Sequence, residues 1–181
     1  MNQLMLLVKN HFENMKEIPT TQITLSQEVR KMCEQNKCGR YGKNWTCPPA
    51  VKSVDEFRED LGAYDTFLII YKVYDVKSSF DWRGMMASGK DFNDRLHGLK
   101  KAIQSVLPDL EFSIFGAGGC QRCERCTYLD DEPCRFPDDA IVSVEASGMD
   151  VMALMKDNGL KYYHGKNTVT FIGGLFYSQG E

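Results

Sequence analysis

The sequence predicts one compact domain over residues 1–181, of the α/β or α+β class, in which helices flank a small, mainly parallel sheet and two loops carry cysteines. The length of 181 residues fits a single domain. Between residues 66 and 115, an amphipathic helix separates two strand-like apolar runs. This order is typical of a right-handed crossover between parallel strands. The cysteines fall mostly in segments where glycine and proline replace helical or strand periodicity.

The composition is that of a globular protein. Hydrophobic residues make up 43% and charged residues 26%, which excludes a largely disordered, collagen-like or coiled-coil chain. The net charge is −3, so there is no electrostatic reason to expect nucleic acid or an anionic membrane as a partner. The N-terminus lacks the features of a signal peptide, and no apolar run is long enough to span a membrane. We therefore expect a cytoplasmic protein.

Three helices are predicted in the first third of the chain. Apolar residues at helical spacing predict an amphipathic helix over roughly the first 16 residues, ending before Pro19. Ser26 is the expected N-cap of a short second helix, which carries Cys33 near its C-terminal end. The sequence Ser53-Val-Asp-Glu56 is a capping box that opens a third helix, and Gly62 ends it.

The central part of the chain predicts the crossover. Residues Thr66–Val73 form a continuous apolar and β-branched run, which indicates a buried strand. Ser88 and Asp91 open a helix with one apolar stripe, which ends at Pro108. Residues Glu111–Phe115 predict the second strand.

The C-terminal part is less regular. Residues Ala140–Val144 fit either a strand or the start of a helix. Residues Met149–Asn158 predict a short helix, and residues Leu160–Tyr163 and Thr168–Phe176 predict the two strands of a β-hairpin.

Seven cysteines stand out in this otherwise ordinary composition. Three lie between residues 33 and 47, and four lie between residues 120 and 134. In a reducing compartment, clustered thiols are metal ligands or redox groups more often than disulfides, and an odd number cannot pair completely within one chain. The two groups therefore predict metal binding or redox chemistry rather than a disulfide framework.

The group nearer the C-terminus has the spacing of an iron–sulfur segment. Cys120, Cys123 and Cys126 are separated by two residues each, and Cys134 follows after a gap of seven. Two-residue gaps let a tight loop turn three thiolates towards one face of an iron–sulfur cube, and a fourth cysteine closes the site. We therefore predict a [4Fe–4S] cluster on these four cysteines. Structural zinc is the alternative, although its more usual ligand pattern is two separate Cys-x-x-Cys pairs.

The group nearer the N-terminus consists of Cys33, Cys38 and Cys47 and is one thiolate short. It predicts either a second cluster with an open iron coordination position, or a cluster whose fourth ligand is brought in by folding. The alternative is that these cysteines are structural. Arg40 and Lys43 lie in the same loop, where they would offset the negative charge of a cluster.

Four ordered motifs resemble those of the "predicted metal-binding protein" family, a cysteine-rich domain-of-unknown-function family found largely in anaerobic bacteria and archaea. They lie at Cys38–Pro49, Gly118–Cys126, Pro133–Pro137 and Ser143–Val151. The resemblance runs from about residue 33 to residue 176, and all seven cysteines lie in the motifs or just ahead of them. It implies metal binding, with iron–sulfur chemistry, and it supplies no reaction.

These observations leave three functions open. The first is an iron–sulfur protein that serves electron transfer or redox support to a partner enzyme, so that its partner is a redox protein. The second is an enzyme in which an open-coordination cluster acts on a small substrate, and the third is a zinc-stabilised binding module. The sequence assigns no catalytic residue, substrate or oligomeric state.

Overall fold

A four-stranded sheet forms the centre of the fold. The computed structural model describes residues 3–178 of the chain. The strands are β1 (Asn14–Pro19), β2 (Thr66–Asp75), β3 (Phe112–Phe115) and β4 (Thr168–Tyr177). The helices are α1 (Gln3–His11), α2 (Gln27–Glu34), α3 (Val54–Leu61), α4 (Trp82–Val106) and α5 (Val151–Asp157). Short 3-10 turns occur at Thr20–Gln22, Thr127–Asp130 and Pro137–Asp139.

The sheet is antiparallel throughout, so the prediction of a mainly parallel sheet is wrong. The strand order is β1-β2-β4-β3, and each adjacent pair is antiparallel. Strands β2 and β3 do run in the same direction, as a crossover through α4 predicts, because both are antiparallel to β4. The C-terminal strand β4 lies between them and takes the hydrogen bonds that a parallel pair would have made.

Helices cover both faces of the sheet. On one face, α1 and α4 pack against Leu68 and Ile70. On the other face, α3 and α5 pack against Phe67 and Ile69. The four consecutive residues 67–70 of β2 are therefore all buried. The continuous apolar run correctly predicted a strand buried on both faces, but such burial does not require a parallel neighbour.

Two helix boundaries differ from the predicted ones. The first helix ends at His11, and residues 14–19, predicted in part as helix, form the edge strand β1 paired with β2. Met1 and Asn2 of that predicted helix lie outside the described residues. Helix α4 begins at Trp82 rather than near Ser88, because the carboxylate of Asp81 caps the backbone N–H of Gly84 at 2.9 Å. The predicted N-caps Ser26 and Ser53 are confirmed, the latter with its full capping box.

The predicted C-terminal hairpin is also wrong. Residues 160–163 are not a strand, and β4 pairs with β2 and β3 instead. Residues 140–144 form neither a strand nor a helix, apart from a single parallel bridge between Ser143 and Gly116. This bridge fixes the segment after β3 against the segment before α5. Among the described residues, no helix has the combination of length and apolarity that crossing a membrane requires.

The centre of β4 provides a test of this packing. A Cβ atom at Gly174 would lie 2.2 Å from the ring of Phe67, a fully buried side chain. We expect Gly174→Ala to lower the free energy of unfolding by about 1–3 kcal/mol through overpacking, measured by chemical denaturation. Gly174→Ala should cost less stability in a Phe67→Leu background than in the wild type, because the smaller side chain frees part of the space that the new methyl group needs. Unchanged stability in the single variant would contradict the close approach.

Candidate metal centre

Cys120, Cys123, Cys126 and Cys134 line one narrow pocket of about 20 Å³. The segment follows β3, where the backbone N–H of Gly116 donates to Val142 and its carbonyl accepts from Val144. After Cys126, the hydroxyl of Thr127 donates to the carbonyl of Pro133 at 2.9 Å. This bond closes the turn and returns the chain to the pocket at Cys134. The four predicted ligands are therefore brought together.

The environment of Cys120 shows that these thiols act on one another. Burial raises its pKa, and the charges of Cys123, Cys126 and Cys134 raise it further. The backbone N–H of Arg122, 3.4 Å from the Cys120 sulfur, partly offsets this rise. Such N–H donors stabilise a thiolate and tune the reduction potential of a bound cluster.

The second thiol group consists of Cys33, Cys38 and Cys47. Cys33 lies in the last turn of α2, and the other two lie on the loop that follows. The pKa of Cys33 is raised by burial, then by the charges of Glu145, Cys38 and Cys47. Burial also raises the pKa of Cys47, with a further contribution from Cys38. The three thiols therefore form one electrostatic group, and a carboxylate from a distant segment joins it.

Asn44 organises the loop that carries Cys38 and Cys47. Its side-chain oxygen accepts from the backbone N–H of Thr46 at 3.1 Å and from the Thr46 hydroxyl at 2.8 Å. Its amide nitrogen donates to the carbonyl of Arg40 at 3.3 Å. Asn44 and Thr46 are both buried. Sequence reasoning missed these two residues, and the only signal was their place between two cysteines in a glycine-rich loop.

The two thiol groups adjoin. The backbone N–H of Cys120 donates to the hydroxyl oxygen of Thr46 at 3.0 Å. The indole N–H of Trp45 donates to the carbonyl of Glu132 at 3.1 Å. Gly119 fits against the loop because it lacks a side chain: a Cβ there would lie 3.2 Å from the sulfur of Cys47. The loop that carries Cys38 and Cys47 therefore packs directly against the loop that carries the other four cysteines.

The spacing of the thiols bears on the kind of metal that they could hold. Within residues 3–178, no three His, Cys, Asp or Glu side chains are arranged as ligands of a single metal ion. Four sulfurs at the usual 2.3 Å from one zinc ion would lie about 3.8 Å from one another. In a [4Fe–4S] cube each thiolate binds a different iron, so the sulfurs stand farther apart. The two kinds of site therefore differ in how far apart they place the four sulfurs.

The pKa shifts predict how the metal-free protein responds to pH. Because folding raises the pKa of Cys33, Cys47 and Cys120, their contribution to stability is complete below the unfolded thiol value of about 8.5 and is lost above it. We expect the melting temperature of the reduced, metal-free protein to fall as the pH rises above about 8.5. Cys47→Ala should flatten this decline in differential scanning calorimetry. An identical slope in the variant would contradict the assignment.

The hydroxyl of Thr46 provides a second test. Thr46→Val keeps the shape but leaves the N–H of Cys120 without its acceptor, so we expect a loss of about 1–3 kcal/mol in the free energy of unfolding. We also expect weaker metal retention under chelator challenge, because the contact between the loops is lost. Thr46→Ser keeps the hydroxyl and is the matched control. Equal chelator resistance in both variants would show that this bond does not position the thiols.

The family comparison agrees with the site. No curated protein and no solved structure matches the chain significantly. The family model described as "Predicted metal-binding protein (DUF2284)" matches residues 16–177, which include both thiol groups and all four strands except the first two residues of β1. Because the match covers most of the chain, the protein belongs to this predicted metal-binding family.

Proposed function

We propose that the protein binds a [4Fe–4S] cluster on Cys120, Cys123, Cys126 and Cys134 and transfers electrons to a redox partner. The observation that carries this proposal is that all four thiols line one pocket. Among residues 3–178, no three possible ligands are arranged around a single ion, which favours a cluster over zinc. The backbone N–H directed at the Cys120 sulfur supports it, because such donors stabilise the negative charge of thiolate-ligated clusters. Zinc binding by the same four cysteines is the alternative to this cluster.

A second cluster on Cys33, Cys38 and Cys47 completes the proposed function. The bond from Cys120 to Thr46 and the fit of Gly119 against Cys47 support two clusters in adjoining loops. Such a pair can pass an electron from one cluster to the other within one molecule. Cys38 is exposed, so an electron could leave or enter through this edge. We place the partner, a redox protein of the reducing cytoplasm, against this surface.

Iron and sulfide analysis tests the proposal. After anaerobic reconstitution with iron and sulfide, we expect a brown protein with about four irons for each cluster, hence about eight in all. Cys134→Ala and Cys47→Ala should each reduce the count towards about four, because each removes a ligand of one cluster. Glu124→Ala, an exposed position between two cysteines, is the control and should keep the full count.

Two results would contradict the proposal. Colourless protein that holds stoichiometric zinc after the same treatment would establish the zinc-stabilised alternative. An unchanged iron count in Cys134→Ala would show that another residue closes the first site.

A further inference from the structure

The carboxylate of Glu145 lies beside the group that lacks a fourth thiol. The segment that carries it packs on the start of α2, where the N–H of Ser26 donates to the carbonyl of Gly148 at 2.8 Å. The guanidinium of Arg30 donates to the carbonyl of Ala146, the residue next to Glu145. Cys33 follows Arg30 by three residues and so lies on the same side of the helix. Folding therefore brings residue 145 to the helix face that carries Cys33.

The approach of this segment to α2 is tight. Gly148 has a φ of +98°, and a Cβ there would lie 3.1 Å from both the carbonyl oxygen of Ser26 and the side chain of Val54. Leu25 and Met149 form an antiparallel bridge beside it. Backbone contacts with the start of α2 thus hold the chain on the C-terminal side of Glu145. On its N-terminal side, the bridge from Ser143 to Gly116 holds the chain against the segment that follows β3.

Glu145 is half-buried, and one of its two carboxylate oxygens is fully buried. Its Oε2 atom is inaccessible to solvent and has no hydrogen-bond partner among residues 3–178. Burial raises the pKa of this carboxyl, and the nearby Ser143 hydroxyl and its own backbone N–H offset part of that rise. Within the same residues it forms no ion pair. Burying a carboxylate oxygen without a partner costs free energy, unless a cation binds there or the group is protonated.

The carboxylate of Glu145 and the thiol of Cys33 influence each other electrostatically. Glu145 and Cys33 are close enough for the carboxylate to raise the pKa of the thiol. Two acidic groups facing each other destabilise their charged forms, and a metal that binds both removes that repulsion. The side chains of Arg30 and Arg40 have the opposite effect, since they lower the pKa values of Cys33 and Cys47 respectively. They would balance part of the charge of an anionic donor set.

We propose that Glu145 supplies the fourth ligand, through Oε2, of the cluster held by Cys33, Cys38 and Cys47. This assignment rests on the iron–sulfur function proposed above. Iron accepts carboxylate oxygen as well as thiolate sulfur, so one corner of the cube would carry an oxygen ligand. The Ser143 hydroxyl would orient that carboxylate from behind. A site closed in this way carries electrons and has no open iron position for a substrate.

Glu145→Gln tests the assignment, because it keeps the shape of the side chain and removes the anionic ligand. We expect the reconstituted wild-type protein to hold about eight irons and its reduced EPR spectrum to be insensitive to added cyanide. The variant should lose about one iron per molecule on oxidation, and cyanide should shift its spectrum, because the fourth iron is then open. Glu145→Cys should restore both wild-type properties by supplying a thiolate.

Two controls separate ligation from structure. Glu34→Gln removes an exposed carboxylate adjacent to Cys33 in sequence and should leave the iron count and the cyanide response unchanged. The metal-free Glu145→Gln protein should melt no lower than the metal-free wild type, because the change removes the charge on an oxygen that is buried without a partner among residues 3–178. A large fall in its melting temperature, together with loss of iron that Glu145→Cys does not restore, would assign Glu145 a structural role instead.

The remaining outcomes are distinct. Eight irons and no cyanide response in Glu145→Gln would overturn the ligand assignment alone. A cyanide response in the wild type would also overturn it and establish an open cluster, as in the enzyme alternative. About four irons in the wild type would leave the cluster of Cys120 standing and remove the second one. Protein without iron and sulfide would overturn the proposed function, and the ligand assignment with it.

Discussion

The hydrogen bond from the backbone of Cys120 to the hydroxyl of Thr46 is the contact on which the arrangement of the thiols depends. Thr46 in turn donates to Asn44, whose amide also binds the first part of its own loop. Because Asn44 and Thr46 are buried, water does not compete for these bonds. The relative position of the two thiol groups is therefore set by hydrogen bonds within the protein.

The parts of the fold that are encoded locally could be predicted from the sequence. The caps of α2 and α3 and the buried strand β2 each depend on a few adjacent residues. The sheet order could not be predicted, because β4 comes last in the chain and inserts between β2 and β3. Residues 14–19 were assigned in part to the wrong element for a similar reason, since their hydrogen bonds to β2 decide their conformation.

The candidate site also has a part that could be predicted from the sequence and a part that could not. Spacing alone grouped the seven cysteines into four and three, because the members of each group are near neighbours in sequence. It could not identify what holds the groups together, because Thr46 meets Cys120 across 74 positions of chain. Glu145 is the clearest case. Glu145 is the only charged residue in the stretch from Val142 to Met149, and its role depends on how that stretch packs against α2.

Trp45 is one of two tryptophans in the chain, and it lines the pocket of the four cysteines with its ring edge-on to Tyr128, 5.0 Å away between centroids. The other, Trp82, is largely exposed at the start of α4. A chromophore with broad visible absorption that entered the pocket would quench the emission of Trp45 more strongly than that of a distant, exposed indole. The protein thus carries an intrinsic optical reporter at the pocket, through which metal loading can be followed in real time without any added label.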